Sequence, residues 1–122
     1  MDILVIEDAV KSAELEKKVL EKSGHNVFIE HNGKNGAKTA KSELPDLILL
    51  DIKLPDISGF KICKRLKKNK KTKNIPIFMV TSNGKMEDIE KAFKLGADDY
   101  ITKPFRAGSL WALIKNKLDK LD

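Results

Sequence analysis

Residues 46–55 read DLILLDIKLP, and this stretch decides how the rest of the chain is interpreted. Four consecutive aliphatic residues, Leu47 to Leu50, predict a short strand that is buried on both faces. A carboxylate, Asp51, follows at once, and Pro55 stands four residues later. Either a loop simply begins at Asp51, or the strand serves to hold that carboxylate in place.

The same pattern recurs along the chain and predicts the fold. Short apolar runs lie at 3–6, 26–30, 46–50, 75–80 and 99–102. Buried runs that alternate with helices indicate a parallel sheet covered on both sides. We therefore expect a flavodoxin-like (βα)5 doubly wound α/β sandwich, with five strands in the order 2-1-3-4-5 and right-handed crossovers.

Apolar residues at helical spacing separate the strands and predict the buried helix faces. Gly24 and Gly96 follow two of these helices, where a left-handed cap favours glycine. The expected apolar stripes are Ala13, Leu15, Val19 and Leu20 in the first helix, Phe60, Ile62, Cys63 and Leu66 in the third, Met86, Ile89, Ala92 and Phe93 in the fourth, and Leu110, Ile114, Leu118 and Leu121 in the fifth.

Length and composition limit the class of protein. With 122 residues, 41% of them hydrophobic and 34% charged, the chain has the size and composition of one globular domain. No apolar run reaches the roughly 20 residues of a membrane span, and the N-terminus lacks the features of a signal peptide. We expect a cytoplasmic protein made of a single domain over residues 1–122, with no output domain and no membrane partner.

Polar residues stand at the carboxyl ends of four predicted strands. Glu7 and Asp8 follow the first strand, Asp51 the third, Thr81 the fourth and Lys103 the fifth. In open α/β sheets, ligands bind outside these strand ends, where the strand order reverses. Strands 1 and 3 flank that point in the order 2-1-3-4-5. The three carboxylates are therefore expected in one small pocket, beside a hydroxyl and an ammonium group.

Such a cluster predicts phosphoryl chemistry on a metal. Three neighbouring carboxylates repel one another unless a cation joins them, and Mg²⁺ prefers oxygen ligands while keeping some of its waters. A metal and a lysine together neutralise phosphoryl oxygens, to which a threonine hydroxyl can donate a hydrogen bond. A carboxylate in this setting can be the nucleophile and form an aspartyl-phosphate. Asp51, on the middle strand, is the natural acceptor.

Four segments together resemble the receiver domain of two-component response regulators, the chemotaxis-regulator-like fold. They are VIED after the first strand, LLDIKLPDISG around Asp51, MVTSNG at Thr81 and GADDYITKPF near the end of the chain. The similarity covers essentially the whole sequence. It implies that Asp51 is phosphorylated, that Lys103 bridges to the phosphoryl group, and that Thr81 and Tyr100 act as the switch residues.

The resemblance also implies a ligand set and a backbone feature. Asp8, Asp51 and the backbone carbonyl of Lys53 would bind Mg²⁺, and Glu7 would hold the metal directly or through water. The bond before Pro104 would be cis, which costs little only before proline. Lys53 and Asn83 flank the predicted site and depart from the common pattern, so the lifetime of the phosphorylated state stays open.

The function implied is a phosphorylation-dependent signalling switch. A histidine kinase or histidine phosphotransfer protein would donate the phosphoryl group, and the surface of helix 4, strand 5 and helix 5 would change to bind a downstream protein target. A phosphorylation-dependent homodimer is a further expected partner. The chain would not be an enzyme, since it would catalyse only its own phosphorylation and dephosphorylation.

Three other classes of protein share part of this pattern. A haloacid-dehalogenase-type phosphatase needs D-x-D after the first strand, and a flavodoxin-like carrier needs a Ser/Thr-rich phosphate loop there; the segment IEDAVKSAE has neither. A receiver-like docking module that is never phosphorylated is the remaining alternative.

A run of positive charge stands apart from these motifs. Residues 61–73 carry seven lysines and Arg65, with no acid. Nucleic-acid sites usually combine several arginines with aromatic side chains, whereas this run has one arginine and no aromatic residue. We expect a solvated surface or a docking patch here, and no direct binding of nucleic acid.

Overall fold

The computed structural model describes residues 1–82 and 84–121, so Asn83 and Asp122 lie outside the described residues. Strands and helices alternate strictly along this part of the chain. A single 3-10 turn, Ala107–Ser109, precedes the last helix. The elements are β1 (Asp2–Ile6), α1 (Val10–Lys22), β2 (Asn26–Glu30), α2 (Gly33–Glu43), β3 (Leu47–Asp51), α3 (Gly59–Lys68), β4 (Ile77–Thr81), α4 (Met86–Lys94), β5 (Asp99–Thr102) and α5 (Leu110–Asp119).

The five strands form one parallel sheet in the order β2-β1-β3-β4-β5, which confirms the predicted fold and strand order. The strand ends differ slightly from the prediction. Asp51 pairs with Val80 and Thr81 pairs with Thr102, so Asp51 and Thr81 are the last residues of β3 and β4 rather than the first residues of loops. Ladder hydrogen bonds thus fix the backbone of both residues.

Two hydrophobic clusters cover the two faces of the sheet. One joins alternate strand residues such as Leu4 and Ile48 to helices α2, α3 and α4. The other joins residues such as Ile3 and Leu49 to helices α1 and α5. Because successive side chains of a strand point to opposite faces, consecutive residues of β1 and β3 are divided between the two clusters. This explains why the central strands are apolar without alternation.

Four residues of the predicted apolar stripes lie on the surface instead. Leu15 is 50% exposed, Phe93 46% and Met86 66%. In α1 the buried stripe is formed by Ala13, Glu16 and Leu20, so the helix is rotated about its axis relative to the prediction. A stripe of three residues at i, i+3 and i+7 lies on one helix face, and in this helix it contains a carboxylate. Leu121, predicted in the stripe of α5, lies beyond the helix end and is 42% exposed.

The loop between β3 and α3 is tied down at several points. Asp56 accepts hydrogen bonds from the backbone N–H groups of Gly33 and Lys34 at the start of α2, at 2.8 and 2.9 Å. Ser58 caps α3 by accepting a hydrogen bond from Phe60 N at 3.2 Å. A side chain at Gly59 would collide with the backbone carbonyl oxygen of Asp51. The loop that follows Asp51 therefore depends on a glycine for its close approach to β3.

Two further features concern the ends and lengths of the helices. Gly24 and Gly96 have φ values of +92° and +101°, as their predicted capping positions require. Across residues 1–82 and 84–121, each helix is too short or too polar to cross a lipid bilayer.

Candidate functional site

Three carboxylates meet at the carboxyl edge of the sheet, between β1 and β3. Glu7 follows β1 directly and is 2% exposed, Asp51 ends β3, and Asp8 is exposed. One carboxylate oxygen from each residue lies within 4.8 Å of the others. Parallel strands bring their carboxyl ends to the same edge, and the strand order leaves a gap between the helices that follow β1 and β3. The cluster lies at the predicted position.

Lys103 brings a positive charge to this cluster from the end of β5. Its Nζ donates a hydrogen bond to Glu7 Oε1 at 2.8 Å and lies 3.9 Å from Asp51 Oδ2. The backbone N–H of Lys103 donates to the carbonyl oxygen of Thr81 at 2.7 Å, which anchors the segment beside β4. The Lys103–Pro104 peptide bond is cis. The Nζ atom of Lys103 therefore pairs with Glu7 at 2.8 Å and lies farther, at 3.9 Å, from Asp51.

The charged form of Asp51 is disfavoured within the cluster, first by burial and then by its interactions with Glu7. Burial raises the pKa of Asp51 to about 7, and its hydrogen bond and charge interaction with Glu7 act in the same direction. The charge on Lys103 and the backbone N–H of Lys53 act against this rise. Burial lowers the pKa of Lys103, but the hydrogen bond that Lys103 donates to Glu7 and the charges of the neighbouring carboxylates outweigh it, and the net effect is a raised pKa. A cation bound among the carboxylates would relieve this repulsion.

The donor atoms suit a hard divalent cation. Carboxylate oxygens are the ligands that Mg²⁺ prefers in proteins, and it retains waters where a site supplies few protein ligands. The exposure of Asp8 leaves one side of the cluster open to solvent. Close to these carboxylates, Lys53 N donates to Asp51 Oδ1 at 3.3 Å, which orients that carboxylate. The acidic cluster of Glu7, Asp8 and Asp51 could therefore hold Mg²⁺.

Thr81 and Tyr100 occupy different positions relative to the cluster. Thr81 ends β4, the neighbour of β3, and is 5% exposed. Tyr100 lies on β5 and packs edge-on against Phe93 of α4, with 6.2 Å between ring centroids. The Nζ atom of Lys117 in α5 lies 5.1 Å from the centre of the Tyr100 ring. Thr81 thus belongs to the edge that carries the cluster, whereas Tyr100 connects α4, β5 and α5.

Glu16 is a site neighbour that the sequence interpretation missed. It lies on the buried face of α1, is 3% exposed, and its Oε2 has no hydrogen-bond partner among the described residues. Burial raises the pKa of Glu16 to about 7, and the charge of Glu7 adds to the rise. With Lys103 and Phe105, Glu16 lines a cavity of about 380 Å³ beside the cluster. The sequence does contain a clue to this position: Glu16 is an acid that shares one helix face with the apolar residues Ala13 and Leu20.

Comparison with known proteins gives a consistent result. The family model described as "Response regulator receiver domain" matches residues 3–115. The DNA-binding dual master transcriptional regulator RpaA of Synechocystis sp. is 38% identical over 120 residues, which cover 98% of this chain and 50% of RpaA. The phosphate regulon transcriptional regulatory protein PhoB of Escherichia coli is 41% identical over 113 residues, covering 93% and 49%. The chain spans about half the length of these curated relatives.

Solved structures show the same fold. A CheY-like response regulator receiver domain protein from Methanospirillum hungatei has a TM-score of 0.88 and 32% identity, covering 98% of this chain and 94% of that one. A putative response regulator from Chloroflexus aurantiacus has a TM-score of 0.89 and 33% identity, covering 97% of each chain. Both similarities extend over nearly the full chain.

Proposed function

The chain belongs to the response regulator receiver domain family, and from this membership we propose that Asp51 accepts a phosphoryl group and switches the domain between two conformations. The observation that carries the proposal is the meeting of Glu7, Asp8 and Asp51 within 4.8 Å, with Lys103 Nζ at 3.9 Å from Asp51. We treat residues 1–122 as one receiver unit.

Asp51 suits the role of acceptor better than its neighbours. Glu7 is buried and already bonded to Lys103, and Asp8 is exposed without a lysine ion pair among the described residues. Asp51 lies between these extremes, with 14% of its side chain exposed, and has one oxygen oriented by Lys53 N. A nucleophile must be held in position and still be reachable by its reactant.

We propose that the metal is Mg²⁺ and that Asp8, Asp51 and the backbone carbonyl of Lys53 bind it. Glu7 holds the ion directly or through a water molecule. When bound, the ion neutralises charge on the phosphoryl oxygens as they move between donor and acceptor. Glu7 and Asp8 keep the ion beside the acceptor, and their spacing fits a hard cation with oxygen ligands. The finer assignment of ligands rests on the family resemblance.

The phosphoryl transfer is a displacement at phosphorus. The donor is a phosphohistidine of a histidine kinase or phosphotransfer protein. The P–N bond breaks and its electron pair leaves with the imidazole, while a carboxylate oxygen of Asp51 forms the new P–O bond. Lys103 exchanges its contact with Glu7 for a phosphoryl oxygen, which adds a charge-assisted hydrogen bond to the product. The chain catalyses only its own phosphorylation and dephosphorylation.

The switch uses residues that connect the site to one surface. Thr81 donates its hydroxyl to the phosphoryl group and moves toward Asp51, and Tyr100 turns inward as Thr81 moves. The contacts of Tyr100 with Phe93 and Lys117 link this movement to the α4–β5–α5 face. Phosphorylation then shifts the population between two packings of the same domain, because phosphate contacts stabilise one of them.

The proposed output is contact with a downstream protein, including a second copy of the chain in a phosphorylation-dependent homodimer. RpaA is named as a DNA-binding transcriptional regulator, and the matched region covers half of its length. For the receiver region we propose protein contact as the mode of action.

Incubation with acetyl phosphate and Mg²⁺ tests the proposal. Intact-mass spectrometry should detect the gain of one phosphoryl group, which EDTA prevents and Asp51→Asn abolishes. Asp56→Asn is the matched control: it lies on the same loop, and its amide oxygen can still accept one of the two hydrogen bonds that Gly33 N and Lys34 N donate to the Asp56 carboxylate. The control should be phosphorylated at the rate of the parent chain.

The docking module is the alternative outcome. If Mg²⁺ binds, as measured by an increase in the free energy of unfolding, but no phosphoryl group is taken up, then Asp51 is not an acceptor. The domain would then act through a single constitutive conformation.

A further inference from the structure

Positive charge is segregated to one side of this molecule. Residues 61–73 carry eight cations and no acid, and α2 carries three lysines and one acid. These two segments together hold a net charge of +10, whereas the whole chain has +6, so the remaining residues are net acidic at −4. A general preference for lysine would raise the charge everywhere. The basic character therefore belongs to a particular surface.

The fold brings the two segments together in a groove between α2 and α3. The groove has a volume of about 550 Å³ and five cationic side chains along its walls: Lys34, Lys38, Lys41, Arg65 and Lys71. Lys34, Lys38 and Lys41 have the i, i+4, i+7 spacing of a single helix face. None of the residues that line the groove is an acid.

None of these cations forms an ion pair within the described part of the chain. Ion pairs within residues 1–82 and 84–121 involve Lys67, Lys103, Lys115 and Lys117, and none of the five groove side chains. Asp56, near the start of α2, directs its carboxylate oxygens to the backbone N–H groups of Gly33 and Lys34. Like charges that face each other across a groove oppose the compact state, so the arrangement costs stability without an internal benefit.

The floor of the groove is apolar. Ala37 from α2, Ile57 from the β3–α3 loop and Ile62 from α3 line it. Ala37 and Ile57 are partly buried and pack against the core cluster beneath. A floor of this kind favours a ligand that presents apolar side chains together with negative charge.

We propose that the groove between α2 and α3 docks an acidic amphipathic segment of a partner protein, whose carboxylates meet the five cations while its apolar side chains rest on Ala37 and Ile57. An amphipathic helix in a groove satisfies both requirements at once. The charges also attract the partner over a distance of about one Debye length, roughly 8 Å at physiological salt. This surface is separate from the α4–β5–α5 face and does not depend on phosphorylation of Asp51.

The composition of the groove favours a polypeptide over nucleic acid. Four of its five cations are lysines, and no aromatic residue lines it. Single-stranded nucleic acids use aromatic side chains for base stacking, and arginine forms the bidentate contacts to phosphates and guanine. An apolar floor gives no gain with a phosphate backbone.

The test uses a fluorescent acidic amphipathic peptide of about 20 residues, with leucines at i, i+3, i+4 and i+7 spacing. A second peptide replaces the leucines by serines, and duplex DNA serves as a third ligand. The groove variant is Lys38→Glu with Arg65→Glu, both exposed. The control is Lys22→Glu with Lys120→Glu, which makes the same change in net charge at exposed positions of α1 and after α5. Circular dichroism verifies folding, and glutamine substitutions replace glutamate if the groove variant unfolds.

The expected result is an increase of at least about tenfold in the peptide Kd for the groove variant, and less than about threefold for the control. The serine peptide should bind at least about tenfold more weakly than the leucine peptide. If the groove variant and the control lost the same affinity for the peptide, net charge alone would explain the binding, and the proposal would be overturned. Equal binding of the two peptides, or tighter binding of DNA with the same loss in the groove variant, would overturn it as well.

Discussion

Replacing Asp51 by Asn should stabilise the metal-free protein, and the gain should grow with pH. The folded-state pKa of Asp51 is about 7, against an ordinary value of 3.8. A carboxyl group whose pKa is raised on folding does not lower the free energy of unfolding while it is protonated in both the folded and the unfolded state. Its contribution to stability is lost as the pH rises from the unfolded pKa through the folded one. Asn carries no charge at any of these pH values and escapes the loss.

The magnitude follows from the two pKa values. A difference of about three pKa units corresponds to roughly 4 kcal/mol at 1.36 kcal/mol per unit, and most of it accumulates between about pH 4 and pH 7. Because 14% of the side chain is exposed and solvent screens part of this effect, we expect a gain of about 2–3 kcal/mol at pH 8. At pH 5 most of the repulsion is absent from the parent chain, and the gain should fall to about 1 kcal/mol.

Urea unfolding followed by circular dichroism, with EDTA present, measures this difference. Asp119→Asn is the control, since Asp119 is 65% exposed and its i,i+4 pair with Lys115 contributes little. Its effect should stay within about 0.5 kcal/mol at both pH values. Equal stability of the Asp51→Asn variant and the parent at pH 8, or a gain that does not change with pH, would refute the account of the acidic cluster.

Three further substitutions test other features. Glu16→Leu should stabilise the metal-free chain by about 2 kcal/mol at pH 8 and less at pH 5, because it removes a buried carboxyl whose pKa is about 7; a loss of stability in urea unfolding would contradict this. Lys67→Met removes donations to the carbonyls of Lys73 and Ile75 and to Asp98 Oδ2, so urea unfolding should record a loss of about 2–3 kcal/mol. The exposed neighbour Lys68→Met should change little, and similar effects of the two variants would argue against the role of Lys67. Gly59→Ala should cost about 1–3 kcal/mol and slow phosphorylation by acetyl phosphate, because its Cβ displaces the backbone of Asp51; an unchanged rate would mean that the loop relaxes without moving the acceptor.

The fold could be predicted because the pattern that defines it is local. Runs such as Leu47–Leu50 are apolar without alternation, and only a sheet covered on both faces buries them fully. The positions of Glu7, Asp8, Asp51 and Lys103 then followed from the strand order alone, since the carboxyl ends of parallel strands share an edge.

Helix rotation could not be obtained in the same way. Leu15 and Glu16 are adjacent in α1 and lie about 100° apart around the helix axis, so the rotation of α1 about that axis decides which of them faces the sheet. The sequence favoured Leu15, but the stripe through Ala13 and Leu20 places Glu16 inside. Likewise, the choice of Lys103 between Glu7 and Asp51 depends on distances of 2.8 and 3.9 Å, which no sequence pattern specifies.

The uneven distribution of charge gives the molecule a large permanent dipole moment. With +10 on two segments and −4 on the remainder, the torque exerted by a charged surface is as relevant as the net attraction. A charged surface orients such a molecule as it approaches, so the protein should adsorb to a cation-exchange matrix in one preferred orientation. Helices α1 and α5, which cover the other face of the sheet from α2 and α3, would then face the solvent and stay accessible to reagents.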